Sequence, residues 1–175
     1  MIIRLAEREL RTKYGAFNEV LYYDGQKESI AIVMGDVAEG EDVLCRVHSH
    51  CIGAHIFNSV ECDCREQMAA AQSAIDREGR GVVIWLDQEG KGNGHLALMQ
   101  SIPFKKAGSP QAEAYVKAGF REDGRDYRVV RDILADLRVR SVVLLANGTG
   151  KADELRNEGV TVSGTRPLDL DSAEK

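Results

Sequence analysis

The chain reads as a domain of mixed α/β class. Short runs of branched and aromatic residues parted by turn formers fill its N-terminal part, and a helical run begins near Asp63 with its apolar residues on one face. Gly81–Leu86, GVVIWL, is the continuous apolar stretch of a strand covered on both sides. A length of 175 residues suffices to bury one core, so a single domain spanning residues 1–175 is expected.

Residues 2–5, 17–23 and 30–35 are strand-like, with Asp24-Gly25 as a hairpin signal between the last two. Residues 43–48 form a further strand, in which Cys45 points into the core as a small hydrophobe. Residues 66–78 read as a helix: Met68, Ala71, Ala74 and Ile75 share a face, and Gly79 and Gly81 end it. The strand Gly81–Leu86 leads into the turn Glu89-Gly90-Lys91-Gly92-Asn93-Gly94. Residues 96–120, interrupted by Pro103 and Pro110, are expected to be less regular. Val129, Val130, Ile133, Leu134 and Leu137 then mark a helix, and residues 141–146 a last strand before Asn147-Gly148-Thr149-Gly150-Lys151.

A formal net charge of −5 excludes the broad cationic surface a duplex requires, so a bound polyanion is expected to be small and held by a few placed cations. No apolar run reaches the roughly 20 residues of a membrane span. The N-terminal MIIRLAEREL has no secretory pattern, which predicts a cytoplasmic protein without disulfides and without nucleic-acid or membrane partners.

Three of the four cysteines, Cys51, Cys62 and Cys64, share the loop between the strand at 43–48 and the following helix. Three soft thiolates predict a zinc site with its fourth position open to water, which is the catalytic arrangement. Two other readings stand beside it: a closed Cys3His site completed by His50 or His55, and a set of inert thiols. A cysteine pair in the first turn of a helix is expected to favour thiolate through the helix dipole.

The glycine-rich turn follows a buried strand, where backbone N–H groups and Lys91 can meet an anion, although it departs from the dinucleotide fingerprint and serves equally as a plain turn. The turn ending in Lys151 is no Walker motif, because Leu145 and Ala152 stand where glycine and Ser or Thr are required. Asp123 and Arg125 precede a helix, as surface charges or as a base and a phosphate ligand.

The succession RVHSHC, ten residues, CDC, two residues and Gln, then GRGVVIWL, QEGKGNG, AGF, DGRDY and VVLLANGTGK resembles the GTP cyclohydrolase II family over nearly the whole chain. That resemblance implies a mixed α/β fold, a single domain whose mixed sheet is flanked by helices, assembled as a homodimer with one Zn2+ per subunit and with Mg2+ accompanying the triphosphate. It implies zinc ligation by Cys51, Cys62 and Cys64, and nucleotide contacts from Arg46, Val47, His48, Ser49, His50, Gln67, Glu89, Gly90, Lys91, Gln111 and Lys151. It makes Asp123 the proton acceptor and Arg125 the group that attacks the α-phosphate. The implied reaction is hydrolytic opening of the imidazole ring of a nucleoside triphosphate, GTP first, with pyrophosphate release, the entry to riboflavin synthesis.

Departures from the family pattern cluster at the substrate. His50 replaces a glutamate, Asp87 an arginine, Gln111 and Ala146 threonines, and Ile102 falls on a tyrosine thought to help in hydrolysis. Isoleucine can neither donate nor accept a proton, so the expected product of a guanine nucleotide is the formylated, ring-opened pyrimidine, unless His50, His95 or Tyr115 takes over. A cyclohydrolase acting on another base, or a nucleotide sensor with a closed zinc site, is the alternative; the H-x-E and P-C-x-x-C signatures of zinc deaminases are missing.

Overall fold

A computed structural model describes residues 1–171. Seven strands form one mixed sheet in the order β1-β2-β3-β5-β4-β6-β7. β1 (Ile3–Thr12), β2 (Gly15–Tyr23), β3 (Glu28–Met34) and β5 (Gly81–Leu86) pair antiparallel in succession, whereas β4 (Val43–Ser49), β6 (Val142–Leu145) and β7 (Val162–Arg166) continue the sheet from β5 in parallel.

α2 (Cys64–Glu78) covers one face of the sheet, placing Ala70, Ala71 and Ile75 against Phe17, Ile32, Leu44, Val83 and Leu145. α5 (Arg128–Asp136) and α6 (Gly150–Asn157) cover the other with Val129, Val130, Ile133, Ala152 and Leu155 against Val20, Cys45, Val47, Ile84 and Leu144. Burial on both faces is why β5 reads as an unbroken apolar run. Cys45 lies wholly inside, as expected, and burial pushes its thiol up to about 12.

The outcome differs from the sequence expectation at four places. β1 extends to Thr12 rather than residue 5, because the charged ERELRT stretch pairs along β2 although only Leu10 and Thr12 are partly covered. Residues 96–120 are largely helical, as α3 (His95–Lys106) and α4 (Gln111–Lys117), which pack chiefly on each other; Pro103 is tolerated inside α3. α6 and β7 are further elements, short and mostly polar in sequence. A one-turn helix, α1 (Ile52–His55), interrupts the cysteine loop. Among the described residues no helix is long and apolar enough to cross a membrane.

β4 occupies the point where the order of the parallel strands reverses, with β5 on one side and β6 on the other. Ligands of open α/β sheets bind outside the carboxyl ends of the strands at such a point. The loops leaving β4, β5 and β6 carry the cysteines, the glycine-rich turn and Lys151.

Candidate active site

The cysteine cluster is assembled by the end of β4 and the start of α2. Cys51 caps α1, Cys64 opens α2, and the three Sγ atoms of Cys51, Cys62 and Cys64 lie within 4.8 Å of one another, with Cys51 and Cys62 3.5 Å apart. A zinc–sulfur bond of roughly 2.3 Å gives tetrahedral S···S edges of about 3.8 Å, so this donor set fits zinc with little adjustment. Arg65 fastens the loop to α2 through Ala54 O (2.9 and 2.6 Å) and His55 O (3.1 Å).

Neither histidine completes a fourth corner. His50 stacks on Trp85 with ring centroids 5.3 Å apart and turns Nδ1 to Asp87 Oδ1 at 3.4 Å, and His55 Nε2 meets Cys64 O at 3.4 Å. The closed Cys3His arrangement is therefore not formed among the described residues. The expected thiolate preference is also reversed: Cys62 lies ahead of α2, and burial followed by the neighbouring sulfurs holds Cys64 well above the usual thiol range, while burial likewise raises Cys51. A cation that displaces these protons restores the thiolates.

Beside the sulfurs, Arg46 is buried and acts as a hub. Its guanidinium donates to Leu145 O (3.0 Å), to Gln67 Oε1 (2.5 Å) and to His48 Nδ1 (3.4 Å). Gln67 in turn donates to Asp63 Oδ1 at 2.7 Å, which joins α2 to the cysteine loop. Burial, then the charge of Arg46, pushes His48 down to about 2, so its imidazole is neutral and Nδ1 is the acceptor.

The glycine-rich turn is locked to the loop that holds Asp123 and Arg125. Gln88 exchanges two bonds with the Asp126 backbone, Nε2 to O and N to Oε1, both 2.7 Å; Gly124 N reaches Lys91 O (2.8 Å), and Asn93 Nδ2 reaches Arg121 O (2.9 Å). Gly92, at φ +80°, lies directly on Gly124. Lys91 itself is left-handed (φ 53°), an uncommon setting for a side chain that this contact sustains.

Arg125 grips the Asp123 carboxylate with Nε and Nη2, and Lys91 Nζ stands 3.8 Å from it. Burial would raise Asp123, but the bonds from Arg125 outweigh it and hold the carboxyl below its ordinary range. These residues line an open cleft of about 690 Å3 together with Arg121, Glu122, Gly150, Lys151 and Glu154. Lys151 donates to Val47 O at 2.9 Å, and burial, then Arg46 and Arg125, pushes its ammonium down to about 7. Four basic side chains, Lys91, Arg121, Arg125 and Lys151, face the cleft with three carboxylates, Glu122, Asp123 and Glu154, so an anion binds there by displacing a carboxylate from a base such as Arg125.

A family model described as GTP cyclohydrolase II matches residues 3–167. The chain belongs to the GTP cyclohydrolase II family. It is 39% identical over 173 residues to the riboflavin biosynthesis protein RibBA of Nocardia farcinica, covering 97% of this chain and 42% of that relative. It is 38% identical to RibBA of Bacillus mycoides, covering 100% and 45%, and 37% identical to the GTP cyclohydrolase-2 of Actinobacillus succinogenes, covering 97% and 79%. The chain thus spans less than half the length of its RibBA relatives. Among solved structures, RibBX, a two-domain 3,4-dihydroxy-2-butanone 4-phosphate synthase from A. baumannii, shares the fold over 94% of this chain and 40% of its own, with a TM-score of 0.52 at 19% identity.

For a GTP cyclohydrolase II chain the expected site residues fall into two connected groups. Cys51, Cys62, Cys64, Arg46, His48 and Gln67 surround the sulfurs, and Val47 lends its carbonyl to Lys151; Lys91, Asp123, Arg125 and Lys151 line the cleft. Ser49 ends β4 and His50 follows it. Gln111 stands apart, exposed at the start of α4 beside the buried Tyr115. Ile102 lies on α3, partly buried.

Glu89 has a role that sequence reasoning missed. Its Oε1 accepts from Ile52 N (3.0 Å) and its Oε2 meets His95 Nδ1 (3.0 Å), so one buried carboxylate ties the residue after Cys51 to the start of α3. In the sequence His95 offers itself only as a substitute for the missing tyrosine, and no spacing in the chain announces this strut.

Proposed function

We propose that this domain hydrolytically opens the imidazole ring of a purine nucleoside triphosphate, GTP being the substrate, and releases pyrophosphate, as an early step of riboflavin biosynthesis in the cytoplasm. The observation that carries the reading is the junction of a three-sulfur cluster with a cationic cleft at the reversal point of the sheet. Zn2+ is held by Cys51, Cys62 and Cys64, one per subunit of a homodimer, and Mg2+ enters as the companion of the triphosphate. When bound, zinc supplies a Lewis acid and lowers the pKa of water for attack on the ring carbon.

The chain's own residues divide the remaining work. Lys91 and Lys151 bind the phosphates, and Arg125, which offers a planar fork, engages the α-phosphate. In the structure that fork is occupied by Asp123. Its transfer to phosphate frees the Asp123 carboxylate, which then rises toward its ordinary pKa and accepts a proton. Arg46, Gln67 and Asp63 hold the cysteine loop in register with the cleft, while His48 and Ser49 present the end of β4 to the base.

Two outcomes separate this reading from its rivals. Incubation with each nucleoside triphosphate, followed by ultraviolet and mass spectra, is expected to show ring opening of GTP; binding without any change of the base would establish a sensor instead, and opening of another base would redirect the substrate. Because Ile102 cannot move a proton, the expected product retains the formyl group. Stoichiometric formate release by the unmodified protein would refute that product, and a gain of formate in Ile102→Tyr would support it.

A further inference from the structure

Tyr127, the residue at the start of α5, is buried at 4% exposure, yet its hydroxyl meets no hydrogen-bond partner. Buried hydroxyls in folded proteins are nearly always paired, so one left alone calls for a partner, either a water or an atom of a ligand. Tyr127 closes the DGRDY stretch, but the sequence gives it no role beside Asp123 and Arg125, and it reads as one more aromatic of the core.

Its surroundings define the ligand. The charges that act on the hydroxyl are those of Arg125, Glu154, Asp123 and Arg46; the first three line the cleft, while Tyr127 lies behind that lining with its hydroxyl buried. The Arg125 guanidinium sits over the Tyr127 ring, 5.4 Å from its centroid, so the ring forms the floor on which the arginine rests. Glu154 and Asp123 offer acceptors, but Asp123 is taken by Arg125 and neither reaches the phenol within hydrogen-bonding distance. Burial keeps the phenol protonated, so the hydroxyl is a standing donor.

We infer that the Tyr127 hydroxyl is a ligand contact, donating to a phosphate oxygen that enters the cleft as Arg125 leaves Asp123. The inference rests on the cleft being a phosphate site, and it adds a neutral donor beneath the cations. Lys91 and Lys151 bind charge from any direction, whereas a phenol fixed by a packed ring donates along one line. Tyr127 thereby selects an anion whose oxygen lies deep beside Arg125 over one that rests at the rim.

The test uses inorganic tripolyphosphate as the probe, with calorimetric titration of the unmodified protein and of Tyr127→Phe, which keeps the ring under Arg125. Tyr127→Phe is expected to bind about tenfold more weakly, the usual loss for a hydrogen bond to a charged group, while its melting temperature stays equal or rises, because an unpaired buried hydroxyl has been removed. Equal affinity in both proteins would overturn the role of Tyr127 and leave the cleft standing. No binding of tripolyphosphate by the unmodified protein would overturn both. A second measurement needs no variant: saturating tripolyphosphate is expected to red-shift a tyrosine band in the near-ultraviolet difference spectrum of the unmodified protein, and an unchanged tyrosine spectrum under saturation would overturn the contact.

Discussion

Gly92→Ala is expected to disarm the cleft without touching any group that reaches substrate. A Cβ built at Gly92 would stand 2.5 Å from Gly124 C and O and 2.7 Å from Arg125 N, all backbone atoms that cannot rotate away. Its φ of +80° adds the penalty of a side chain in left-handed backbone, about 1–2 kcal/mol. Overpacking against fixed atoms contributes roughly another 1–3 kcal/mol, so the sum is about 2–5 kcal/mol, relieved only by moving the loop that carries Asp123 and Arg125. Gly79→Ala isolates the backbone component, since Gly79 shares the left-handed conformation (φ +73°) with nothing within 4 Å of its added Cβ. Urea unfolding should place Gly92→Ala below Gly79→Ala by about the overpacking term alone, roughly 1–3 kcal/mol. Ring opening and pyrophosphate release should fall in Gly92→Ala and persist in Gly79→Ala. Equal stability of the two variants, with full activity in Gly92→Ala, would refute the claim that the turn positions the loop.

Replacing Cys51, Cys62 or Cys64 by Ser should remove stoichiometric zinc, read by atomic absorption, and abolish ring opening, because a hydroxyl is a poor substitute for a soft thiolate; Cys45→Ser should keep its metal. Lys151, held down to about 7 while the unfolded side chain titrates near 10, binds fewer protons folded than unfolded between those values, so its contribution to stability rises with pH across that window. Tripolyphosphate should reverse the effect by drawing a proton onto Lys151, and titrations at pH 7.5 in buffers of different ionisation enthalpy should reveal net proton uptake that Lys151→Met lacks. Asp123 has its folded carboxyl lowered, so its contribution is complete above the unfolded value and is lost as pH falls through the folded one. Thermal melts from pH 5 downward should therefore fall less steeply in Asp123→Asn. Arg125→Ala should lose pyrophosphate release in a coupled assay, with Lys a poor substitute because it lacks the planar fork.

Legibility in the sequence follows coverage. β5, α2 and α5 were evident because each meets a packed face and carries the apolar period that such contact demands. β1 and β7 edge the sheet and bury little, so charge and polarity hid β7 and all of β1 beyond residue 5. α3 was obscured by Pro103, and its periodicity is weak because Leu96 and Met99 are exposed. Within the site, the cysteine spacing and the Asp123–Arg125 pair were legible since they are close in sequence. The Glu89 strut joins residues 37 apart, and the surroundings of the unpaired Tyr127 hydroxyl include Glu154 on α6 and Arg46 on β4, both remote in sequence. Neither leaves a local trace.

The α3–α4 hairpin leans mainly on itself, and it carries both Ile102 and Gln111, whereas the sulfurs, Lys91, Arg125 and Lys151 issue from segments next to the sheet, α5 and α6. On the proposed function, the departures at Ile102 and Gln111 can therefore be exchanged within a single contiguous segment, at little risk to the scaffold that holds the cysteines and Arg125. Engineering can follow the same route: residues 95–120 form a cassette that a relative's sequence can replace in one step, provided His95 or an equivalent anchor still meets Glu89.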